Sequence, residues 1–276
     1  MIALTWADLL QRRLAAARAV RLTVGVFDGL HVGHRRLLSE ITGGPPGVDA
    51  VVITFSRNPV VLRAPHEFPG AILTLRQKLE RMELLGVGAA VVIDFSDEMS
   101  NLSGEAFVRL LRENLTIQRI VVGQNFRFGK KRNSGNDDLK EMLADTGIEL
   151  LVTAPVLRES GMVSSSRIRA AIRAGRLDEA RDMLTVPHTI DLRDVRWQVR
   201  ADGLPRFSRS NILQVLPPDG DYAATLDGPG GERGGTCRVE EEWLTLTEGT
   251  FSTGTIPTGH GAAVSTTSIQ LNGRKE

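Results

Sequence analysis

Two histidines stand three residues apart in GVFDGLHVGH, the stretch from Gly25 to His34. A histidine pair can ligate a metal, exchange protons, bind phosphate or simply pack. The run RLTVGVF predicts a strand and HRRLLSEI predicts a helix, so the pair stands at the carboxyl end of a strand. A helix start after Gly33 offers unpaired N–H groups and partial positive charge to an anion. His31 and His34 could therefore face the same phosphate.

Packing and metal binding are the competing interpretations of this pair. For a single histidine, a hydrogen bond to the backbone of a turn is the simpler interpretation. Two histidines are an incomplete zinc shell, and the other imidazoles, His66, His188 and His260, do not follow at ligand spacing. The only cysteine, Cys237, excludes a multi-cysteine site. We therefore favour phosphate binding over metal ligation and predict no metal ligands.

A second candidate phosphate element is GMVSSSRIR, in which three serines precede Arg167 at another predicted helix start. Hydroxyls can donate to phosphate oxygens, and a guanidinium is a planar fork that stays charged. Taken alone, an N-cap serine beside surface arginines is an equally good interpretation. Because this stretch also follows a predicted strand, it gains weight beside the first motif. The three serines are Ser164, Ser165 and Ser166.

A third stretch, VVGQNFRFGKKRNSG, combines a polar turn, two aromatic residues and a basic run. Gly123 ends a predicted strand, and Asn125 offers a donor and an acceptor. Phe126 and Phe128 favour stacking on a planar ligand, because aromatic residues make up only 5% of the chain. Single-stranded nucleic acid is one alternative ligand for such a loop. A solvated loop with one aromatic side chain in the core is another.

The elements that must position these motifs alternate between short apolar runs and amphipathic stretches up to about Ala154, which predicts a parallel sheet with crossover helices. The predicted strands are RLTVGVF, AVVITF, AAVVIDF, RIVVG and ELLVTA. Thr74 and Gln77 match a capping box before LRQKLERMELL, which Gly86 would end. We also expect Asn136 or Asp137 to cap DLKEMLADT.

The pattern changes near Pro187, where helical periodicity gives way to Gly, Pro, Thr and Ser. The strand-like pieces there are DLRDVRWQVRA, SNILQVL, DYAATLD and EEWLTLTE, and DGPGGERGG is expected to be a mobile loop. The predicted fold is α/β: a Rossmann-like domain with a parallel sheet over residues 1–187, followed by a small all-β barrel-like domain over residues 188–276.

Bulk composition limits the classes of partner. The 276 residues carry a formal net charge of +1, which favours neither nucleic acid nor an acidic membrane surface. We see no apolar run of transmembrane length and no continuous signal-peptide core near the N-terminus. One cysteine fits a reducing cytoplasm. We expect a cytoplasmic protein without nucleic-acid or membrane partners, and the sequence leaves the oligomeric state open.

In order and spacing, GVFDGLHVGH, ITFSRNP, VVGQNFRFGKKRNSG and GMVSSSRIR resemble the FMN adenylyltransferase module of bacterial FAD synthetases, which often also carry a riboflavin kinase domain. The likeness covers roughly residues 20–187. It implies a nucleotidyltransferase domain in which FMN attacks the α-phosphorus of Mg-bound ATP. The products would be FAD and pyrophosphate.

The resemblance also implies roles for single residues. His31, His34 and Arg167 would be catalytic, the histidines by stabilising charge that develops on the triphosphate. The residues that would bind ATP are Gly25, Val26, Phe27, Asp28, Gly33, Gly123, Asn125, Ser164, Ser165 and Ser166. The residues that would bind the flavin are Phe55, Asn58, Asn125 and Phe128.

Three features depart from the family pattern, two single residues and one missing motif. Asn58 stands where the family commonly has a histidine before proline, and Ser166 replaces a usual threonine. The P-T-A-N motif of riboflavin kinases is missing, because residues 201–211 read ADGLPRFSRSN. The PTG at residues 257–259 falls too late to replace it, and no clear equivalent of the kinase glutamate follows Trp243. We therefore expect a shortened C-terminal domain without kinase activity.

Several other functions stay open from the sequence. The chain could be bifunctional and retain riboflavin kinase activity. It could be a related transferase with another phosphate acceptor, such as phosphopantetheine or nicotinamide mononucleotide. A flavin-binding regulatory module is the non-enzymatic alternative.

Overall fold

The computed structural model describes residues 1–11, 18–63, 66–94, 97–159, 161–227, 232–248 and 268–275. By the density of contacts the chain divides into two compact units. Unit 1 comprises residues 1–68 and 78–162, and unit 2 comprises residues 69–77 and 163–276. The two helices before Pro187 thus group with the second unit. The functional boundary at residue 187 stays a prediction.

Unit 1 is built on a six-stranded parallel sheet. The elements up to the fourth strand are β1 (Ile2–Thr5), α1 (Trp6–Leu10), β2 (Ala19–Val24), α2 (Val32–Thr42), β3 (Asp49–Phe55), α3 (Pro59–Arg63), α4 (Leu75–Leu84) and β4 (Ala89–Ile93). The elements that follow are α5 (Asp97–Asn101), α6 (Gly104–Asn114), β5 (Thr116–Gly123), a 3-10 turn (Lys130–Arg132), α7 (Asn136–Leu143) and β6 (Glu149–Thr153). A short antiparallel pair, β7 (Leu157–Arg158) and β8 (Gly161–Met162), completes the unit.

The sheet confirms the parallel α/β prediction. Its central strands are almost continuously apolar, as in DAVVITF of β3, because helices cover both faces of a parallel sheet. The strand order is β1-β4-β3-β2-β5-β6, and it reverses between the neighbouring strands β2 and β5. Ligands of such sheets bind outside the carboxyl ends of the strands at this reversal. The loops after β2 and β5 are therefore the expected binding loops.

Local predictions in the helices had mixed outcomes. The capping box is confirmed: Thr74 Oγ1 accepts from the N–H of Gln77 at 3.2 Å, and Gln77 Oε1 accepts from the N–H of Thr74 at 3.1 Å. Gly86 follows α4 with φ of 84°, as predicted. The predicted cap of α7 was wrong, because Gly135 precedes the helix and Asp138 accepts its N–H at 2.7 Å. The Asp138 carboxylate in the first turn thus binds the backbone N–H of the N-cap residue, whereas glycine has no side chain to cap the helix.

Unit 2 contains α8 (Ser165–Arg173) and α9 (Leu177–Leu184), followed by a seven-stranded antiparallel sheet. The strands are β9 (His188–Asp191), β10 (Trp197–Val199), β11 (Pro205–Ser208), β12 (Gly220–Asp227), β13 (Arg233–Val239), β14 (Trp243–Glu248) and β15 (Ser268–Arg274). Their order is β10-β11-β14-β13-β12-β15-β9. The prediction of an all-β region after the helices is confirmed.

Two details of this region were wrong. The predicted strand SNILQVL instead contains a 3-10 turn at Arg209–Asn211, and its residue Gln214 makes a single bridge with Ala71. The end of the predicted loop DGPGGERGG belongs to β13, where Gly234 and Gly235 pair with β12. Residues 228–231 and the PTG at 257–259 lie outside the described residues.

Candidate functional site

The histidine motif occupies the loop between β2 and α2. The strand ends at Val24, before the predicted Phe27, and α2 begins at Val32. His31 is the N-cap residue of the helix, and its Nδ1 accepts a hydrogen bond from the backbone N–H of His34 at 3.3 Å. Because Nδ1 accepts, a neutral His31 carries its proton on Nε2. The cap therefore leaves the Nε2–H group of His31 as a donor.

The two imidazoles lie face to face. The ring centroids of His31 and His34 are 3.6 Å apart at an interplanar angle of 16°, and Phe27 meets the His34 ring edge-on at 5.2 Å. A Cβ atom on Gly33 would lie 3.2 Å from Nδ1 and Cε1 of His31, so glycine lets this ring lie against the first turn of α2. The structure thus brings together the histidine pair that the sequence singled out.

Burial keeps both imidazoles neutral near pH 7. It lowers the pKa of His31 to about 4, against an ordinary value of 6.5. The pKa of His34 falls well below 6.5, because of burial first and then the nearby charges of His31 and Lys78. The buried Nδ1 of His34 has no hydrogen-bond partner among the described residues. The pair therefore offers N–H groups to an anion rather than two fixed positive charges.

The turn before the histidines has an unusual backbone. Phe27 and Leu30 have φ values of 53° and 44°, and Gly29 has a φ of 91°. Non-glycine residues in this region are strained and persist only where their surroundings hold them. Phe27 and Leu30 are both buried, at 1% and 0% exposure, and so anchor the turn in the core. These buried side chains hold the backbone of the predicted nucleotide loop in its strained conformation.

A buried lysine that sequence reasoning missed contacts this loop. The ammonium of Lys78 donates to the carbonyl of Val26 at 3.1 Å, to Thr54 Oγ1 at 3.0 Å and to the carbonyl of Phe55 at 2.8 Å. Burial lowers the pKa of Lys78 to about 8, while the carboxylate of Asp28 acts in the opposite direction. In the sequence, Lys78 is one of several charged residues in an amphipathic helix, and such residues ordinarily face solvent.

The loop after β5 is held by an asparagine whose role there was also missed. Asn136 Nδ2 donates to the carbonyls of Gly123 at 3.2 Å and Gln124 at 2.9 Å, and fixes the turn at the end of the strand. The predicted ligand Asn125 is exposed, and its Nδ2 lies 3.8 Å from Met162 Sδ. This amide is therefore accessible to a ligand near the carboxyl ends of the neighbouring strands β2 and β5.

The predicted flavin-binding residues differ in burial. Phe128 is 8% exposed and stacks on Phe126, with centroids 5.2 Å apart, while Phe107 packs against it at 6.2 Å. Phe128 thus contributes to the core, in agreement with the alternative interpretation of one core aromatic, and its flavin contact stays a prediction. Phe55 is partly buried at the end of β3. Asn58 Oδ1 accepts from the N–H of Val60 at 3.1 Å at the start of α3.

The serine–arginine motif lies in unit 2 and forms the start of α8. Ser164 is the N-cap residue, and its Oγ accepts from the N–H of Arg167 at 3.3 Å. The Arg167 guanidinium donates to Glu179 Oε1 through Nη2 at 3.1 Å and through Nε at 3.3 Å. Arg176 Nε binds the other oxygen of Glu179 at 2.8 Å and contributes most to a lowered pKa of this carboxyl. Ser165 and Ser166 follow as the first residues of the helix.

Residues 14–167 match the sequence pattern described as FAD synthetase. This segment is more than half of the chain and contains GVFDGLHVGH and SSSR. The chain belongs to the FAD synthetase family.

Curated relatives agree with this family. The chain is 33% identical over 208 residues to a bifunctional riboflavin kinase/FMN adenylyltransferase of Listeria monocytogenes, a match that covers 73% of this chain and 66% of that protein. It is 32% identical over 173 residues to an FAD synthetase of the same organism, covering 62% of this chain and 70% of that protein. The chain thus matches about two thirds of the length of these FAD synthetase relatives.

A solved structure shares the fold of this FAD synthetase family member. It is described as a macrolide-efflux protein from Streptococcus pneumoniae and matches with a TM-score of 0.80 at 21% identity, over 100% of both chains. At that identity the likeness establishes the fold alone. Among the described residues, no group of three or more His, Cys, Asp or Glu could hold a metal ion. In the same part of the chain, no helix combines the length and the apolar character needed to cross a membrane.

Proposed function

We propose that this chain transfers the adenylyl group of MgATP to FMN and releases FAD and pyrophosphate. The terminal phosphate oxygen of FMN forms a bond to the α-phosphorus of ATP, and the bond from that phosphorus to the bridging oxygen of pyrophosphate breaks. Magnesium enters as part of the nucleotide substrate. We place the reaction in the cytoplasm, in keeping with a single cysteine whose thiol is buried.

The observation that carries the proposal is the stacked pair of His31 and His34 at the carboxyl end of β2. The pair lies at the start of α2, where backbone N–H groups and the helix dipole favour an anion. The strand order reverses at the same place, between β2 and β5. A triphosphate is the ligand that fits N–H donors, a helix start and a strained, preformed loop together.

In this proposal catalysis consists of positioning and charge stabilisation, without a covalent intermediate. The Nε2–H of His31 and the imidazole of His34 donate to phosphate oxygens whose negative charge grows in the transition state. Because the approaching anion favours the protonated imidazole, it raises the pKa of each histidine from its low resting value. The backbone of Gly25, Val26, Phe27, Asp28 and Gly33 lines the nucleotide site.

The remaining residue roles rest on the family resemblance. Arg167, with the hydroxyls and N–H groups at Ser164, Ser165 and Ser166, binds the departing phosphates. Gly123 and Asn125 contribute to the nucleotide site, and Phe55, Asn58, Asn125 and Phe128 to the flavin site. Because Phe128 is buried, we assign it a supporting contact, with the more exposed Phe126 beside it. Nucleic acid has no role in this proposal, since the net charge is only +1.

We further propose that the domain after residue 187 does not phosphorylate riboflavin. The segment that would carry the P-T-A-N motif reads ADGLPRFSRSN and forms β11 and a 3-10 turn. A relative described as bifunctional favours the alternative that kinase activity is retained. The two possibilities differ in one product, because only a kinase forms FMN from riboflavin.

The test is to incubate purified protein with MgATP and one acceptor at a time, and to separate the products by chromatography. We expect FAD from FMN, and no product from riboflavin, nicotinamide mononucleotide or phosphopantetheine. FMN or FAD formed from riboflavin would overturn the kinase-dead assignment and leave the transferase proposal intact. Absence of FAD in the presence of FMN would overturn the transferase proposal itself.

A further inference from the structure

Lys78 is the buried charged group most closely tied to the candidate site, and the proposed reaction gives it no task. It lies on α4 with only 5% of its surface exposed. Lysines are almost never buried to this degree unless they are paired. An ammonium has three N–H donors, and here each has an acceptor: the carbonyls of Val26 and Phe55 and the hydroxyl of Thr54. The hydrogen-bonding capacity of Lys78 is complete within the protein.

The three acceptors belong to two segments that flank the candidate nucleotide loop. Val26 lies in the turn after β2, whereas Thr54 and Phe55 end β3. Thr54 Oγ1 also donates to the carbonyl of Val26 at 3.1 Å, so this one carbonyl accepts from two groups. Lys78 and Thr54 thus join the turn to the neighbouring strand. The joined carbonyl immediately precedes Phe27, the first residue of the turn with positive φ.

Charge gives a second connection between Lys78 and the loop. Its positive charge is attracted to Asp28 and is close enough to His34 to lower the pKa of that imidazole. Lys78 cannot itself reach a ligand while its three N–H groups are used in the protein. Its influence on a bound phosphate must therefore pass through the backbone of the turn and through His34.

We propose that Lys78 is a positioning residue for the nucleotide loop, which it holds in the conformation that binds ATP. The proposal rests on the proposed function, because it concerns the same loop. Loss of Lys78 removes one of the two hydrogen bonds to the carbonyl of Val26 and lets Phe27 and Leu30 leave their strained conformation. On the flavin side Lys78 makes one contact, a hydrogen bond to the carbonyl of Phe55. A lysine that served only the fold would instead change the amount of folded enzyme and leave the affinity of the folded fraction unaltered.

The test compares Lys78→Met with Lys140→Met, which removes an exposed lysine on α7 of the same unit. For each protein we would measure thermal unfolding, KM for ATP, KM for FMN, and the Kd of a non-hydrolysable ATP analogue. We expect Lys78→Met to raise the KM for ATP and the analogue Kd by about tenfold or more, from the lost charged hydrogen bonds. KM for FMN should rise less than KM for ATP, because only one of the three lost hydrogen bonds is to a proposed flavin residue, Phe55, and Lys140→Met should match the unsubstituted protein.

Thr54→Val provides a milder variant in case Lys78→Met does not fold. Thr54 is fully buried, so valine keeps the shape and removes only the hydroxyl that links Lys78 to Val26. We expect the KM for ATP to rise about threefold, because one of several hydrogen bonds to the loop is lost. Unchanged KM for ATP and unchanged analogue Kd in the folded variants would overturn the positioning role.

The measurements distinguish a failure of the proposed transferase function from a failure of the positioning role of Lys78. If the unsubstituted protein makes no FAD, the transferase proposal fails, while the Kd of the ATP analogue still decides the role of Lys78. If the unsubstituted protein binds no ATP analogue, the assignment of Lys78 to a nucleotide loop is overturned as well.

Discussion

Replacing His31 with asparagine should flatten the pH dependence of stability. His31 is buried, and its pKa of about 4 in the folded protein lies below the 6.5 of an unfolded chain. The unfolded state therefore binds more protons between these values, and the free energy of unfolding decreases as the pH falls from 7 through 5. Integrating this difference from pH 7 to pH 5 gives a loss of about 2 kcal/mol from His31.

Asparagine is the suitable replacement because its Oδ1 can still accept the N–H of His34 that Nδ1 of His31 accepts now. The helix cap is kept, while the titrating imidazole and its stacking on His34 are lost. Carboxylates that titrate in the same range contribute equally to both proteins, so they cancel in the comparison. The variant should lose about 2 kcal/mol less than the unsubstituted protein between pH 7 and pH 5.

Urea unfolding at the two pH values, followed by the fluorescence of Trp6, measures this difference in unit 1. Trp6 stacks on Phe107 at 5.7 Å and packs against the core of that unit. Trp197 and Trp243 would be replaced by phenylalanine in both proteins. Equal losses of stability in the two proteins would refute the reasoning, because they would mean that His31 is not held neutral by burial.

Three further substitutions test other parts of the site. Phe128→Ala should lower the free energy of unfolding, measured with urea, by about 3–5 kcal/mol, as for other buried aromatic side chains. A loss of flavin affinity without a loss of stability would instead favour an exposed stacking role. Gly33→Ala should lower turnover, because the new Cβ would lie 3.2 Å from the His31 ring; steady-state kinetics with normal turnover would show that the ring can move without cost. Arg167→Ala should raise the KM for ATP, and Arg167→Lys should restore it only in part, because lysine lacks the planar fork that binds Glu179 and that we propose binds phosphate. Full recovery with lysine would contradict this role.

The sequence was informative where periodicity and turn chemistry act locally. Five strands of the parallel sheet have clear apolar runs, and the histidine motif follows one of them directly. The Thr74–Gln77 capping box depends on residues only three apart, so its sequence pattern suffices. By contrast, β1 has only four residues, and it is recognised as a strand only because it pairs with β4, far along the chain.

The missed parts of the site depend on contacts between distant segments. Lys78 occupies a helix whose composition resembles that of a solvent-exposed helix, and its burial results from Val26 and Thr54, 52 and 24 residues away. Phe128 looked available for stacking, but Phe107 and Phe126 cover it. Asn136 looked like a helix cap, whereas its amide holds the turn after β5. The spacing of residues along the chain does not indicate contacts between such distant segments.

The most direct test of the central claim follows the α-phosphate and the γ-phosphate of ATP into the products. The protein would be incubated with FMN and with MgATP that is labelled either at the α-phosphate or at the γ-phosphate, and the products would be separated. We predict that the α-label appears in FAD and the γ-label in pyrophosphate, and that His31→Ala and His34→Ala lower the rate far more than they lower FMN affinity. Transfer of the γ-label to the flavin, or FAD formation at an unchanged rate after both substitutions, would contradict the account.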